Sequence, residues 1–183
     1  MRQDAGAAMQ AITTDFSMTQ ARERFQDLLG LHAAIVRKVA GMYCRNAEDR
    51  RDLAQEIAIQ AWRAFGKYDP ARAFSTWLYR IALNVAISQA RNAGLRERHA
   101  VPLDAQAHDI ADDRSPNHED DERLRALHRC IDALGALDRA LMLLYLDDRS
   151  HAEIADVLGI GASNVGTRIH RLKQRIRAAL VES

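Results

Sequence analysis

Five side chains suited to holding a nucleic acid recur along the stretch Phe74–Arg91: Trp77, Arg80, Asn84, Ser88 and Arg91. Their spacing of three or four residues puts them on one face of a helix. An aromatic ring stacks on an unpaired base, an amide and a hydroxyl hydrogen-bond to base edges, and guanidinium groups pair with phosphates. A core helix does not usually line its outward face with an aromatic, an amide and two arginines. The stretch therefore reads as a surface for unstacked bases and their backbone.

A second set lies near the C-terminus. Val165, Ile169, Leu172, Ile176 and Leu180 form the apolar stripe of a last helix, and Thr167, Arg168, His170, Arg171, Lys173, Arg175 and Arg177 lie off it. Ahead of it stand Ser150 and Glu153 in capping-box register, the short run HAEIADVL, Gly159 as a stop and a tight turn at Ile160–Ala162. A capped short helix, a glycine, a turn and a longer basic helix are the parts of a helix-turn-helix. The second helix of such a unit enters the major groove by its N-terminal part. That brings Asn164, Gly166, Thr167, His170 and Arg171 nearest base edges and leaves Arg168, Lys173 and Arg175 for phosphates. The bland alternative, a solvated basic face on a terminal helix, does not account for the cap and the glycine stop.

The elements that must carry these faces are helical throughout. The 183 residues include only three prolines and nine glycines, and 48% are apolar. Thr19 to about Tyr43 reads as one long amphipathic helix, with His32 on its apolar stripe. A second helix, about 49–65 and capped by Asn46 or Asp49, repeats Leu53, Ile57, Ala61 and Phe65. It leaves Asp52, Gln55 and Glu56 outside, as a solvated acidic face. Lys67–Arg72 forms a turn, because Pro70 forces Asp69 out of helical conformation. Ser75 is expected to cap the next helix, which should fade at Asn92–Gly94. Further on, Asp120–Leu134 and Arg139–Leu146 read as helices, with a turn at Asp147–Arg149.

The net charge of +1 hides a strong segregation. From His99 to Glu122 there are eight acidic residues against one arginine, whereas Arg168–Arg177 holds five basic residues and no acidic one. The acidic part, with Pro102 and Pro116 and few apolar residues, is expected to be a flexible linker. The expected architecture is all-α: an extension over 1–18, a helical domain over 19–96, a linker over 97–119 and a helix-turn-helix domain over 120–183. Cys44 and Cys130 lack the spacing of a zinc site or a disulfide and suit a reducing cytosol. No apolar run is long enough to span a bilayer, and the N-terminus lacks the apolar core of a signal peptide, so a cytoplasmic protein without membrane insertion is expected. No nucleophile–base pair, metal cluster or phosphate-binding glycine loop is present, so neither catalysis nor a cofactor is expected.

Three segments together resemble the extracytoplasmic-function (ECF) sigma factors of the sigma-70 family. DLAQEIAIQAWRAF is similar to their polymerase-binding segment, FSTWLYRIALNVA to their promoter-melting segment, and SHAEIADVLGIGASNVGTRIHRLKQRIRAAL to their helix-turn-helix. The resemblance covers about residues 22–95 and 120–180. It implies a region 2-like bundle and a region 4-like helix-turn-helix. It also implies that Asp52, Gln55 and Glu56 dock on the β′ clamp coiled coil of core RNA polymerase, with the β subunit as a further contact. Lys67 and the loop to Phe74 would shape a pocket for a flipped −10 base that Asn84 helps to capture. Trp77 would lie near the duplex fork, in part as a packing residue, and Arg80 and Arg91 would hold phosphates. The last helix would meet the −35 element, although Gly166 stands where the family often has Lys or Arg. An anti-sigma factor is an implied partner. The rival reading is a stand-alone helix-turn-helix regulator that binds an operator without polymerase.

Overall fold

The computed structural model describes residues 18–99, 129–131 and 133–181. The expected N-terminal extension, most of the linker and the first part of the 120–134 helix lie outside them. The described elements are all helical: α1 (18–31), α2 (Ala33–Tyr43), α3 (Ala47–Phe65), α4 (Phe74–His99), α5 (Ala136–Leu146), α6 (His151–Leu158) and α7 (Ala162–Val181).

The expected single helix over 19–43 is broken. At His32 the backbone leaves helical geometry (φ −108°, ψ 15°), and its carbonyl accepts from the Ile35 N–H to start α2. The offset turns Leu31 out to 80% exposure, while Phe25, Ile35, Val36 and Val39 stay buried. His32 itself is half-buried with its ring 5.3 Å from that of Phe74. It is the boundary histidine the apolar stripe implied.

Asn46 is the cap of α3, its side chain accepting from the Asp49 N–H at 2.7 Å. Ser75 is not the cap of α4. The helix already starts at Phe74, whose ring is buried, and the Trp77 N–H donates to the Ala73 carbonyl. Anchoring Phe74 in the core fixes the first turn two residues earlier than a cap at Ser75 implied. Nor does α4 fade at Gly94; it runs to His99. One glycine costs a helix only about 1 kcal/mol, and the run RNAGLRERH that follows is otherwise rich in good helix formers.

α2, α3 and α4 pack on one another around Val39, Leu53, Ile57, Ala61, Leu78 and Leu83, each at most 1% exposed. A side chain of this size, fully buried, stabilises by about 1.5–3 kcal/mol. α5, α6 and α7 form a second layer around Leu141, Leu144, Ile154, Val157, Val165, Ile169 and Leu172. The layers meet, with α2 and α4 against α5 and α4 also against α6. The described residues contain no helix long and apolar enough to cross a membrane. Cys44 and Cys130 are free thiols and half-buried.

Candidate nucleic-acid interface

The α4 face predicted from spacing divides in two. Arg80, Asn84, Ser88 and Arg91 are exposed along one line of the helix. Leu78, Tyr79, Ala82, Leu83 and Ala86 fill the opposite side and are essentially inaccessible, which holds that line rigidly outward. Trp77 does not join it fully. It is half-buried, with ring centroids 5.1 Å from Tyr68, 5.1 Å from Phe74 and 6.2 Å from Phe65. Trp62 and Phe25 extend the same stack of rings. Tilted and edge-on contacts of this kind add about 0.5–1.5 kcal/mol per pair beyond area burial.

The stack braces the loop that leads into α4. Tyr68 lies 5.9 Å from Phe65 and gives its hydroxyl hydrogen to the Arg72 carbonyl at 2.8 Å. The Asp69 carboxylate accepts from the Ala71 N–H at 2.9 Å, an Asx turn that closes the loop over Pro70. The loop is therefore tied by its own hydrogen bonds, with Lys67 exposed at its start. Tyr68 was not singled out from the sequence, because a tyrosine in a turn gives no signal of where its hydroxyl bonds.

On α3, Asp52 and Gln55 are exposed and Glu56 is partly covered, its carboxylate accepting from the Gln60 amide at 2.7 Å. Ile59, 37% exposed, lies one turn beyond Gln55 on the same side. The strip is acidic at one end and apolar at the other, a combination suited to a protein partner.

The cap and the glycine stop of the C-terminal unit are as its sequence implied, while α5 starts at Ala136 rather than Arg139 and α7 at Ala162 rather than after it. Ser150 Oγ accepts from the Glu153 N–H, and the Glu153 carboxylate accepts in return from the Ser150 N–H at 2.9 Å. Hydrogen bonds from the Ser150 hydroxyl and backbone hold the Glu153 carboxyl below its ordinary value. α6 ends at Gly159 with φ +66°, the left-handed geometry that a residue with a Cβ resists. α7 then runs with Val165, Ile169 and Leu172 buried and Asn164, Thr167, His170 and Arg171 exposed.

The basic residues of α7 fall into two groups. Arg168 and Arg175 each approach the Asp138 carboxylate of α5 at 3.9 Å, and Lys173 meets Tyr145 through its hydroxyl at 3.1 Å and its ring at 5.1 Å. These three reach back toward α5, whereas Arg171 is exposed, farther from the buried stripe than Arg168 and Arg175. Gly166 is half-buried, and a Cβ there would meet the His151 ring at 3.5 Å. His151, the first residue of α6, thus lies within ordinary van der Waals reach of any side chain placed there.

Lys38, Tyr79 and Asp147, absent from every sequence-based site, come together where the two layers meet. The Tyr79 hydroxyl donates to Asp147 at 2.9 Å, Lys38 pairs with the same carboxylate, and Arg149 lies over the Tyr79 ring at 5.4 Å. Burial and the Asp147 hydrogen bond push the Tyr79 phenol well above its ordinary value. Burial raises Asp147, but its bonds to Lys38 and Tyr79 outweigh this and leave it below the usual carboxylate range.

Residues 28–96 match the family Sigma-70 region 2, and residues 124–176 match Sigma-70, region 4. The chain is 34% identical to the RNA polymerase sigma-H factor of Pseudomonas aeruginosa, over 78% of this chain and 80% of that one. It is 32% identical to the ECF RNA polymerase sigma factor SigE of Mycolicibacterium smegmatis, over 88% of this chain and 63% of that protein's length. In fold it is similar to the sigma factor RpoE of Bartonella quintana, solved in complex with the anti-sigma factor NepR. The TM-score is 0.68 at 21% identity, covering 86% of this chain and 97% of the other. With both regions in their expected order and relatives of this similarity, the chain belongs to the extracytoplasmic-function group of the sigma-70 family of RNA polymerase sigma factors.

Proposed function

We propose that the chain binds core RNA polymerase through α3, engages a promoter at two elements and opens the upstream edge of the −10 region by capturing an unpaired base. The observation that carries this reading is the exposed line Arg80–Asn84–Ser88–Arg91 beside a loop already closed by its own hydrogen bonds. A preformed pocket wall spares the entropy of ordering a loop when a base arrives. Base extrusion costs a few kcal/mol, least where pairing is weak. Asn84 has an amide that reads a base edge, and Arg80 and Arg91 supply charge for the flanking phosphates.

Asp52, Gln55 and Glu56 serve as the docking strip for the β′ clamp coiled coil, and the exposed Ile59 gives that contact an apolar centre. Asn164, Thr167, His170 and Arg171 read the −35 element in the major groove. Arg168, Lys173 and Arg175 reach phosphates only by exchanging their partners on α5, which limits what they add to duplex affinity. Tethering both readers to one enzyme compensates for their individual weakness. The stand-alone regulator reading explains the helix-turn-helix but gives the α4 line and the α3 strip nothing to do. The anti-sigma factor bound to the structural relative supports a regulator of the same kind here. The test is transcription in vitro with core polymerase on a genomic promoter library. Initiation that depends on the chain and on both of its domains supports the reading, and tight operator binding without polymerase overturns it.

A further inference from the structure

The basic side chains of α7 are not equivalent in what they can offer a phosphate. Arg168, Arg171 and Arg175 recur at intervals of three and four, so they form one line along the helix, opened by Asn164 four residues before. Arg171, in the middle of the line, is exposed. The two arginines that flank it lean toward one carboxylate. Arg168 and Arg175 each bring an Nη1 to 3.9 Å from an oxygen of Asp138 on α5. Asp138 stands in the first turn of α5, where Gly135 at the N-cap has no side chain to bond the free N–H groups. The positive end of that helix favours a carboxylate there.

At 3.9 Å neither pair is a short, directed hydrogen bond, and the two arginines are 38% and 60% exposed. Ion pairs of this kind are weak and exchange readily. They nevertheless act against a polyanion twice. Each must be given up before its arginine reaches a phosphate, and Asp138 then stands beside the duplex as a repulsive charge. A carboxylate that oriented the arginines for phosphates would make forked bonds of about 2.7–2.9 Å. Contacts at 3.9 Å through one nitrogen each restrain without orienting. Phosphate contacts supply affinity and carry no sequence information. A carboxylate acting on two of them therefore changes how strongly α7 holds any duplex, and not which duplex it prefers.

We propose that Asp138 sets the strength with which α7 holds phosphates, by restraining Arg168 and Arg175, and so weakens its contact with promoter and non-promoter DNA alike. The consequence for promoters rests on the −35 contact proposed above. Its use lies in competition. A genome offers about 10⁶–10⁹ non-specific sites, and a stronger phosphate contact would populate all of them. A restrained α7 leaves discrimination to the exposed Asn164, Thr167, His170 and Arg171, and leaves affinity to the tether on polymerase.

The test titrates the full chain, bound to core polymerase, on a promoter duplex drawn from the genomic library and on the same duplex with its −35 element scrambled. Salt is varied from about 50 to 200 mM. Asp138→Asn removes the charge and keeps the size of the side chain, and Asp138→Ser is a second neutral form should the first fold poorly. Either should tighten both duplexes severalfold, by the same factor, and steepen the slope of log affinity against log salt by about 1–2. Asp138→Glu, which keeps the charge, should behave as the parent. In a chain carrying Arg168→Gln and Arg175→Gln, Asp138→Asn should have a smaller effect, which separates release of the arginines from loss of a charge near DNA. Elution of the free chain from heparin should follow the same order with neither promoter nor polymerase present. With excess competitor DNA, Asp138→Asn should lower the initiation rate. Unchanged or weaker duplex binding by the neutral forms, an equal gain in the chain without the two arginines, or tightening confined to the promoter duplex overturns the proposal. Initiation that resists competitor as well as the parent does overturns its use in competition. Failure of every form to prefer the promoter duplex, with heparin elution shifted as expected, refutes the −35 reading and leaves the restraint by Asp138 standing.

Discussion

Replacing Asn84 by alanine separates base capture from every other task of α4. The side chain is exposed and lies on the side of the helix away from Leu83 and Ala86, so the fold should change by no more than about 0.5 kcal/mol. What is lost is an amide able to read a base edge with a donor and an acceptor, a pairing that discriminates by about 1–3 kcal/mol. On a step where that contact forms only in the opened state, 1–3 kcal/mol corresponds to roughly 5–150-fold less open complex. Recruitment should change little. The charges that bring duplex to the protein, on Arg80, Arg91 and α7, are untouched, and non-specific affinity comes from counterion release. Permanganate reactivity of the −10 thymines reports opening, and gel shift of the polymerase–promoter complex reports recruitment. The expected result is a fall in reactivity at least fivefold larger than the loss of shifted complex. Equal losses in both would mean that Asn84 contributes to docking or to folding, and the base-capture argument would fail.

Asp52→Arg combined with Glu56→Arg should abolish co-purification with core polymerase while leaving the melting temperature nearly unchanged, since both side chains lie outside the core; normal co-purification would remove the α3 strip from the reading. Arg171→Ala should weaken use of the −35 element and lower the slope of log affinity against log salt by about 1, the share of one phosphate or base-edge cation, and unchanged promoter choice would relocate the recognition face. Ser150→Ala removes the cap of α6 and should cost about 1 kcal/mol in thermal or denaturant unfolding, with the loss confined to the C-terminal unit in hydrogen exchange. Asp147 is lowered by its partners, so its contribution to the contact between the two layers is complete above the ordinary carboxylate value of about 4 and is lost as pH falls through its lower folded value. Small-angle scattering should therefore find the same compact particle from pH 6 to 9, where the raised Tyr79 phenol stays protonated, and expansion only in acid; expansion near neutrality would implicate another group.

Periodicity carried most of this fold, because the buried stripes of α3, α4 and α7 are long and each has one apolar side. It failed where a single buried ring decided a boundary. Phe74 starts α4 one residue before the serine that propensity favours, since anchoring its ring fixes the helix more firmly than a hydroxyl cap does. The break at His32 was hidden for a similar reason, as Leu31 and Ile35 fit one apolar stripe until the backbone turns between them. The α4 line was legible because outward-facing Arg, Asn and Ser at helical spacing are unusual, while Trp77 was ambiguous because an aromatic suits a base and a core equally well. The pairing of Lys38, Tyr79 and Asp147 could not be read at all. Its partners are 109 and 68 residues apart in the chain, and a carboxylate in a turn looks like any solvated one.

The turn at Asp147–Arg149 joins two functions that the sequence presents as separate. Arg149 approaches Asp147 at 3.6 Å on one side and the capping carboxylate of Glu153 at 3.4 Å on the other, while its guanidinium lies over Tyr79. Its Nε is buried without a hydrogen-bond partner, because the Asp147 oxygen is too far and the Tyr79 ring offers only its face. A buried, unpaired donor costs about 1–3 kcal/mol. The turn thus combines close contacts at Asp147 with one unmet bond at Arg149. The Glu153 contact lies within the C-terminal unit, so the start of α6 is fixed by Ser150, Glu153 and Arg149 together. The first helix of the helix-turn-helix is therefore held by its own residues, and the duplex contact proposed for α7 needs no rebuilding of it.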